Sequence, residues 1–174
     1  MRAVHLCIVV TLFLSSSAAA EGSKTYRNPY FNFTVNYPEN WEAGEISGIA
    51  YFRTPREGTQ DTFSENINII VDNLTGNPVN LEQYTAYFFA VAPTSITGFQ
   101  LVEKGTVVIN GRDASFIVYA SVQNGARLRH KLYQIVDDKK GYNLTYTALE
   151  VNYDTFLPQA EEIMRSFSAA PAAK

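Results

Sequence analysis

Chemistry in this 174-residue chain would have to start from His130, since the only other histidine, His5, sits in an apolar N-terminal run. A Ser–His–acid nucleophile needs its imidazole held by a carboxylate and within reach of a serine. His130 lies instead in a strand-like run between Arg129 and Lys131, and the chain has no G-x-S-x-G elbow. It reads as a surface or interfacial side chain, so no catalytic residue is expected. Zinc or copper would need several His or Cys ligands, and the single cysteine, Cys7, shares the N-terminal run with His5. Asp137-Asp138, or Glu150 with Asp154, could offer oxygens to calcium, but neither follows the spacing of a calcium loop. They read as a solvated turn and a helix-capping region. Gly44, Gly48 and Gly58 are scattered through loops and Gly105 lies in a strand-like run, so no phosphate-cradling loop is present. No metal or cofactor is expected, and a hydrolase of paired carboxylates meeting only in space is the remaining catalytic alternative.

The one local charge feature is Arg127-Leu128-Arg129-His130-Lys131. In a strand, Arg127, Arg129 and Lys131 share one side, continued by Tyr133 and Ile135. With His130 between them, these residues form the candidate interaction surface, suited to an acidic protein or, peripherally, an anionic membrane. The alternative is a solvated strand whose Lys and Arg stems cover apolar surface.

These residues have to be positioned by a domain that begins after an export signal. Arg2, the apolar run Val4–Leu14 and the small residues Ser15 to Ala20 have the form of a signal peptide, with cleavage between Ala20 and Glu21. The run is shorter than the roughly 20 residues of a membrane span. Cleavage removes Arg2 and takes the formal charge from −3 to −4, a balance that gives no pull toward nucleic acid. The remaining length suits a single domain over 21–168, with a flexible tail at 169–174. The Asn-x-Ser/Thr triplets at Asn32, Asn73 and Asn143 read as chance occurrences.

Beyond a polar leader at Glu21–Asn28, alternation of Phe31, Phe33, Val35 and Tyr37 predicts a half-buried strand, stopped by Pro38 in a turn ending on the single tryptophan, Trp41. Ile49–Arg53 is expected to pair with it, and Asn66–Asp72 to form a third strand. Leu81, Tyr84, Phe88 and Val91 recur at helical spacing, with Asn80 as N-cap, Gln83 three residues on, and Pro93 as the stop. Asn110-Gly111 and Asn124-Gly125 are hairpin signals, Asp137–Gly141 a looser connection, and four antiparallel strands are expected across Phe99–Val151. Asp154 is expected to cap a second helix bearing Phe156, Ala160, Ile163 and Phe167 on one face. The expected fold is α+β: a layered α/β/α sandwich around an antiparallel sheet of about six or seven strands, with two main helices.

The segment from Phe31 to Trp41, the Asn110-Gly111-Arg112-Asp113-Ala114 hairpin, Tyr142-Asn143-Leu144-Thr145-Tyr146 and Ile163-Met164-Arg165-Ser166-Phe167, in that order, resemble the PsbP-like (Mog1/PsbP) superfamily, in its bacterial exported branch. The resemblance spans essentially Asn28 to Phe167. It implies a non-enzymatic accessory fold, used on the lumenal side of photosystem II, in the nucleus to bind a small GTPase, and in exported bacterial proteins. The signal here is of bacterial type and no long basic leader precedes the first strand, unlike the plant oxygen-evolving protein. The expected function is therefore an exported, periplasmic or extracellular accessory protein that docks on a protein partner in the envelope. A small apolar-ligand carrier lined by Tyr51, Phe52, Tyr84, Phe88 and Tyr146 is the alternative. A photosystem II subunit of the thylakoid lumen is a further one, should the source be photosynthetic.

Overall fold

The computed structural model describes residues 22–169 apart from 57, 60 and 138; the expected cleavage at Ala20–Glu21 and the tail beyond 169 lie outside them. The expected polar leader is a strand. β1 (Ser23–Asn28) pairs antiparallel with β2 (Phe33–Pro38), from Ser23 opposite Pro38 to Asn28 opposite Phe33. Lys24, Thr25 and Arg27 leave β1 without an apolar alternation by which to recognise it. The connecting turn is organised by Asn28, whose side-chain oxygen accepts from the backbone N–H of Tyr30 (3.0 Å) and Phe31 (2.8 Å). Asn32 follows at φ 57°, so Phe31 belongs to the turn and the buried alternation begins at Phe33 and Val35. β10 (Ser168–Ala169) lies against the other side of β2, with Ala169 opposite Phe33, completing a three-stranded sheet and carrying the domain one residue past 168.

The larger sheet has seven antiparallel strands. In chain order they are β3 (Glu42–Ile46), β4 (Ile49–Arg53), β5 (Asn66–Asn73), β6 (Gln100–Ile109), β7 (Arg112–Gln123), β8 (Ala126–Asp137) and β9 (Lys140–Leu149). In space the order is β3-β4-β5-β9-β8-β7-β6. β4 therefore pairs with β3 and β5, not with Phe31–Tyr37 as expected. Ser47 and Gly48 both take positive φ and close a tight hairpin into β3, a strand that Glu42, Gly44 and Glu45 hid from the apolar pattern. Asn110-Gly111 and Asn124-Gly125 also have positive φ at both residues, as two-residue hairpin loops require.

Helix α1 (Leu81–Ser95) opens with the expected capping box. Asn80 accepts from the backbone of Gln83 (2.9 Å), and the Gln83 side chain accepts from the backbone of Asn80 (3.0 Å). Pro93 does not stop the helix, because in the last turn it removes only one ladder bond and Ile96 N–H still reaches the Ala92 carbonyl. Helix α2 (Tyr153–Arg165) has Asn152 rather than Asp154 at its N-cap; the Asn152 side chain donates to Glu65 (3.1 Å), and Asp154 sits in the first turn, where its charge suits the helix dipole. No helix among the described residues is long and apolar enough to cross a membrane.

Alternation gives the seven-stranded sheet two different faces. Phe52, Ile67, Ile69, Val118, Tyr133, Ile135, Leu144 and Tyr146 point to the main core, against Ile163, Met164 and Phe167 at the end of the chain and Phe33 and Val35 of the small sheet. Ile117, Tyr119 and Leu132 point the other way, under Phe88 and Phe89 of α1. The result is an α+β sandwich with α1 on one side of the sheet and α2 with the three-stranded sheet on the other. Trp41 joins the second layer, its indole N–H donating to Gln159 of α2 (3.2 Å).

Candidate functional site

The expected basic stripe faces α2, and acidic residues from later in the chain neutralise it. Arg127 Nε donates to Glu150 Oε2 at 2.6 Å, and Arg129 approaches the same carboxylate at 3.7 Å. The hydrogen bond and charge of Arg127 hold the Glu150 carboxyl below the usual range and raise the Arg127 guanidinium in turn. Arg129 also lies 5.4 Å from the centre of the Tyr153 ring. Lys131, only 15% exposed, makes a short contact with Glu161, which Arg165 approaches from the next turn of α2 at 3.7 Å. Burial pushes the Glu161 carboxyl up, but the hydrogen bond from Lys131 and the charges of Lys131 and Arg165 outweigh it and leave it lowered. The stripe is thus largely committed to the joint between β8 and α2.

His130 is not part of that surface. Period two puts it on the opposite, α1 side of β8, where it is 9% exposed and stacked 4.5 Å from the Tyr119 ring. Its Nε2 is 2.8 Å from Ser121 Oγ and its Nδ1 is 2.9 Å from Thr147 Oγ1, so a serine lies within reach after all. The third partner is a threonine instead of a carboxylate. Burial lowers His130 to about 4, leaving a neutral, weakly basic imidazole without the negative charge that would stabilise its protonated form. The row acts as a polar tie between β7, β8 and β9.

The oxygen-rich pairs are similarly dispersed. Asp137 accepts from Arg112 at 2.8 Å, Asp138 is outside the described residues, Glu150 belongs to Arg127, and Asp154 is in the first turn of α2. Among the described residues, no three His, Cys, Asp or Glu side chains are placed to hold a metal ion. The aromatics considered for a carrier do not share one cleft. Phe52 and Tyr146 fill the α2-side core, Tyr84 and Phe88 lie on the sheet-facing side of α1, and Tyr51 covers Gly44 on the uncovered part of the sheet.

The open surface is the α1 face. Beyond Glu82 the helix carries no charged residue through Ser95, and Tyr87 on its outer side is 69% exposed. Along one flank a groove of about 900 Å³ separates α1 from β6 and β7, with Leu81, Thr85 and Phe89 on the helix side and Lys104, Val108 and Asp113 on the sheet side. Elsewhere on the same sheet face, a hollow of about 440 Å³ over β3, β4 and β5 is lined by Ile46, Ile49, Tyr51 and Ile70. Ile46, Ile70, Tyr87, Leu101 and Val108 are all solvent-exposed on this side.

Polar groups connect α1 to the sheet. Thr85 Oγ1 lies 2.8 Å from Ser115 Oγ, Ser115 donates to Gln134 (3.5 Å), and Gln134 donates to Asn143 (3.0 Å). Asn143 donates to Asp72 (3.1 Å), which also takes a short hydrogen bond from Tyr84. Burial first, and then that contact with Asp72, pushes the Tyr84 hydroxyl far above the usual phenol range. Nothing in the local sequence pattern announces this ladder, because its members come from five separate elements and each is an ordinary polar residue in its own segment.

Three solved structures share this arrangement. A Pseudomonas aeruginosa protein of unknown function, PA94, superposes with a TM-score of 0.65 at 19% identity, over 86% of this chain and 99% of that one. LpqN, involved in cell envelope biogenesis of Mycobacterium tuberculosis, gives 0.61 at 17% identity, over 89% and 88%. CyanoP, the cyanobacterial PsbP of Synechocystis, gives 0.59 at 14% identity, over 88% and 96%. The fold is PsbP-like. No protein-family model matches the chain, and no curated protein matches its sequence. At these identities the likeness establishes the PsbP-like fold alone, so function has to be argued from the faces of this molecule.

Proposed function

We propose that this PsbP-like protein is an exported accessory protein that performs no chemistry and docks on a protein partner in the envelope through its α1 face. The observation that carries the reading is the uncharged outer side of α1, with Tyr87 exposed on it and Val108, Ile46 and Ile70 exposed in the hollows of the same side. Apolar side chains exposed in several places on one face, with Arg53 and Arg56 in one hollow and Glu82, Lys104 and Asp113 in the other, give the mixture of apolar surface and polar rim that interaction sites use. The α2 side, by contrast, has Arg127, Arg129 and Lys131 occupied by Glu150 and Glu161. LpqN lends the envelope setting its support by analogy of fold.

Affinity capture from crosslinked envelope extract tests this, with wild type, Tyr87→Asp/Ile70→Asp and Arg127→Glu/Arg129→Glu as baits, each checked for folding by circular dichroism. The expected result is one enriched partner with wild type and the arginine variant, lost with Tyr87→Asp/Ile70→Asp. Loss with the arginine variant alone would return the docking surface to β8. Absence of any enriched protein would overturn the docking reading.

The groove of about 900 Å³ favours a second reading, a carrier of a small apolar ligand, since it falls in the size range of small-molecule sites. Native mass spectrometry of freshly purified protein distinguishes it. A bound small molecule released by Val108→Trp would establish the carrier, and a bare polypeptide mass would remove it.

A further inference from the structure

We propose that β6, the free edge of the seven-stranded sheet, pairs antiparallel with β6 of a second copy of this chain across a twofold axis at Thr106. An edge strand offers a row of unpaired backbone groups, and proteins usually blunt it with shortness, proline, charges or β-bulges; the one irregularity of β6 lies near its start, outside the stretch from Glu103 to Ile109 centred on Thr106. The opposite edge, β3, has five residues; β6 has ten, pairs only with β7, contains no proline, and carries only Glu103 and Lys104 as charges. After an irregularity between Leu101 and Glu103, its register against β7 is regular to Ile109.

The groove beside this edge has a charge at each end. Lys104 sits at one end, its Nζ 4.9 Å from the Phe89 ring centre. Asp113 sits at the other, opposite Val108, with Glu82 on the helix turn that precedes Thr85. Neither Lys104 nor Asp113 has an ion pair among the described residues. Lys104 and Val108 are four residue steps apart along β6, about 13 Å at strand rise. A groove with opposite charges at its ends is complementary to itself under a twofold, the geometry of an isologous dimer.

With the axis at Thr106, Thr106 faces Thr106 and Lys104 faces Val108 of the second copy. Asp113 of that copy is the next residue in the same row, two strand spacings or about 10 Å from Lys104 between backbones, a gap the two side chains extend into from both sides. The contact forms twice. Moving the axis to Lys104 would instead oppose lysine to lysine. Edge hydrogen bonds supply the association and the charges set its register. Because the axis is normal to the sheet, both α1 helices remain on one side, presenting two copies of the α1 face in the same direction. Tyr87 and Ile70 are off the edge, so failure of dimerisation and failure of α1-face docking are separately observable.

Sedimentation equilibrium at low salt tests the edge, using protein purified from expression of the whole 174-residue chain. Wild type is expected to dimerise, Lys104→Asp and Asp113→Lys each to weaken association by roughly tenfold or more, and the double exchange Lys104→Asp/Asp113→Lys to restore it. Neither residue makes an ion pair in the monomer, and Lys104 has only its contact with the Phe89 ring to lose, so at concentrations where wild type is also monomeric all three variants are expected to unfold close to it. Monomer mass at every concentration, a dimer indifferent to both single reversals, or a double exchange that fails to restore pairing would each overturn the proposal.

Discussion

Replacing His130 by glutamine should change how stability depends on pH. In the folded chain burial holds the imidazole at about 4, against 6.5 for an unburied histidine. Above pH 6.5 the imidazole is neutral in both folded and unfolded chains and contributes no pH dependence. As pH falls through 6.5 the unfolded chain takes up a proton that the folded chain refuses, so the unfolded state is favoured progressively until the folded imidazole titrates near 4. A difference of roughly two and a half units at about 1.4 kcal/mol each gives a loss of about 3 kcal/mol across that window. Carboxylates such as Glu150 and Glu161, both lowered in the folded chain, add their own loss in acid, but in wild type and variant alike. The informative quantity is therefore the difference between the two proteins. Urea unfolding at a series of pH values from 7 to 4 should give a His130→Gln curve that declines less steeply, with the gap between the curves changing by about 3 kcal/mol. Glutamine can still bond to Ser121 and Thr147, so the variant is expected to fold. Parallel curves would refute the burial of a neutral His130 and, with it, the reading of the Ser121–His130–Thr147 row as a structural tie.

Two further substitutions probe the two helix joints. A Cβ at Gly141 would come within 2.5 Å of the Tyr84 ring, so Gly141→Ala should force α1 outward and cost about 1–3 kcal/mol in urea unfolding, with Tyr84→Phe unable to relieve a clash made by the ring carbons. Lys131→Met should cost a similar amount, because it leaves the part-buried Glu161 with only the long hydrogen bond from Tyr133 (3.4 Å) and the longer contact to Arg165, whereas Arg127→Met on the exposed end of the stripe should leave thermal unfolding unchanged.

What the sequence determined by itself is local and periodic. Alternation around Phe33 and Val35, the Asn-Gly turns, the Asn80–Gln83 cap and the three-to-four spacing of α1 each depend on residues within a few positions, and their order was enough for an α+β sandwich. β1 and β3 escaped because their exposed, charged side chains carry no apolar period, and only pairing to β2 and β4 makes them strands. Tertiary structure decided the rest. Period two correctly put Arg127, Arg129 and Lys131 on one side of β8, but whether that side met solvent depended on Glu150 and Glu161, 23 residues from Arg127 and 30 from Lys131. The same rule put His130 on the other side, yet its neutrality comes from burial, stacked on Tyr119 of a neighbouring strand. The α1 groove likewise exists only because the helix lies beside an edge strand that begins five residues after its last turn, and the width left between them is set by packing. Local sequence fixes which side chains share a face; Coulomb and desolvation terms depend on what the rest of the chain brings within a few ångströms of that face, and that distance is a property of the assembled layers.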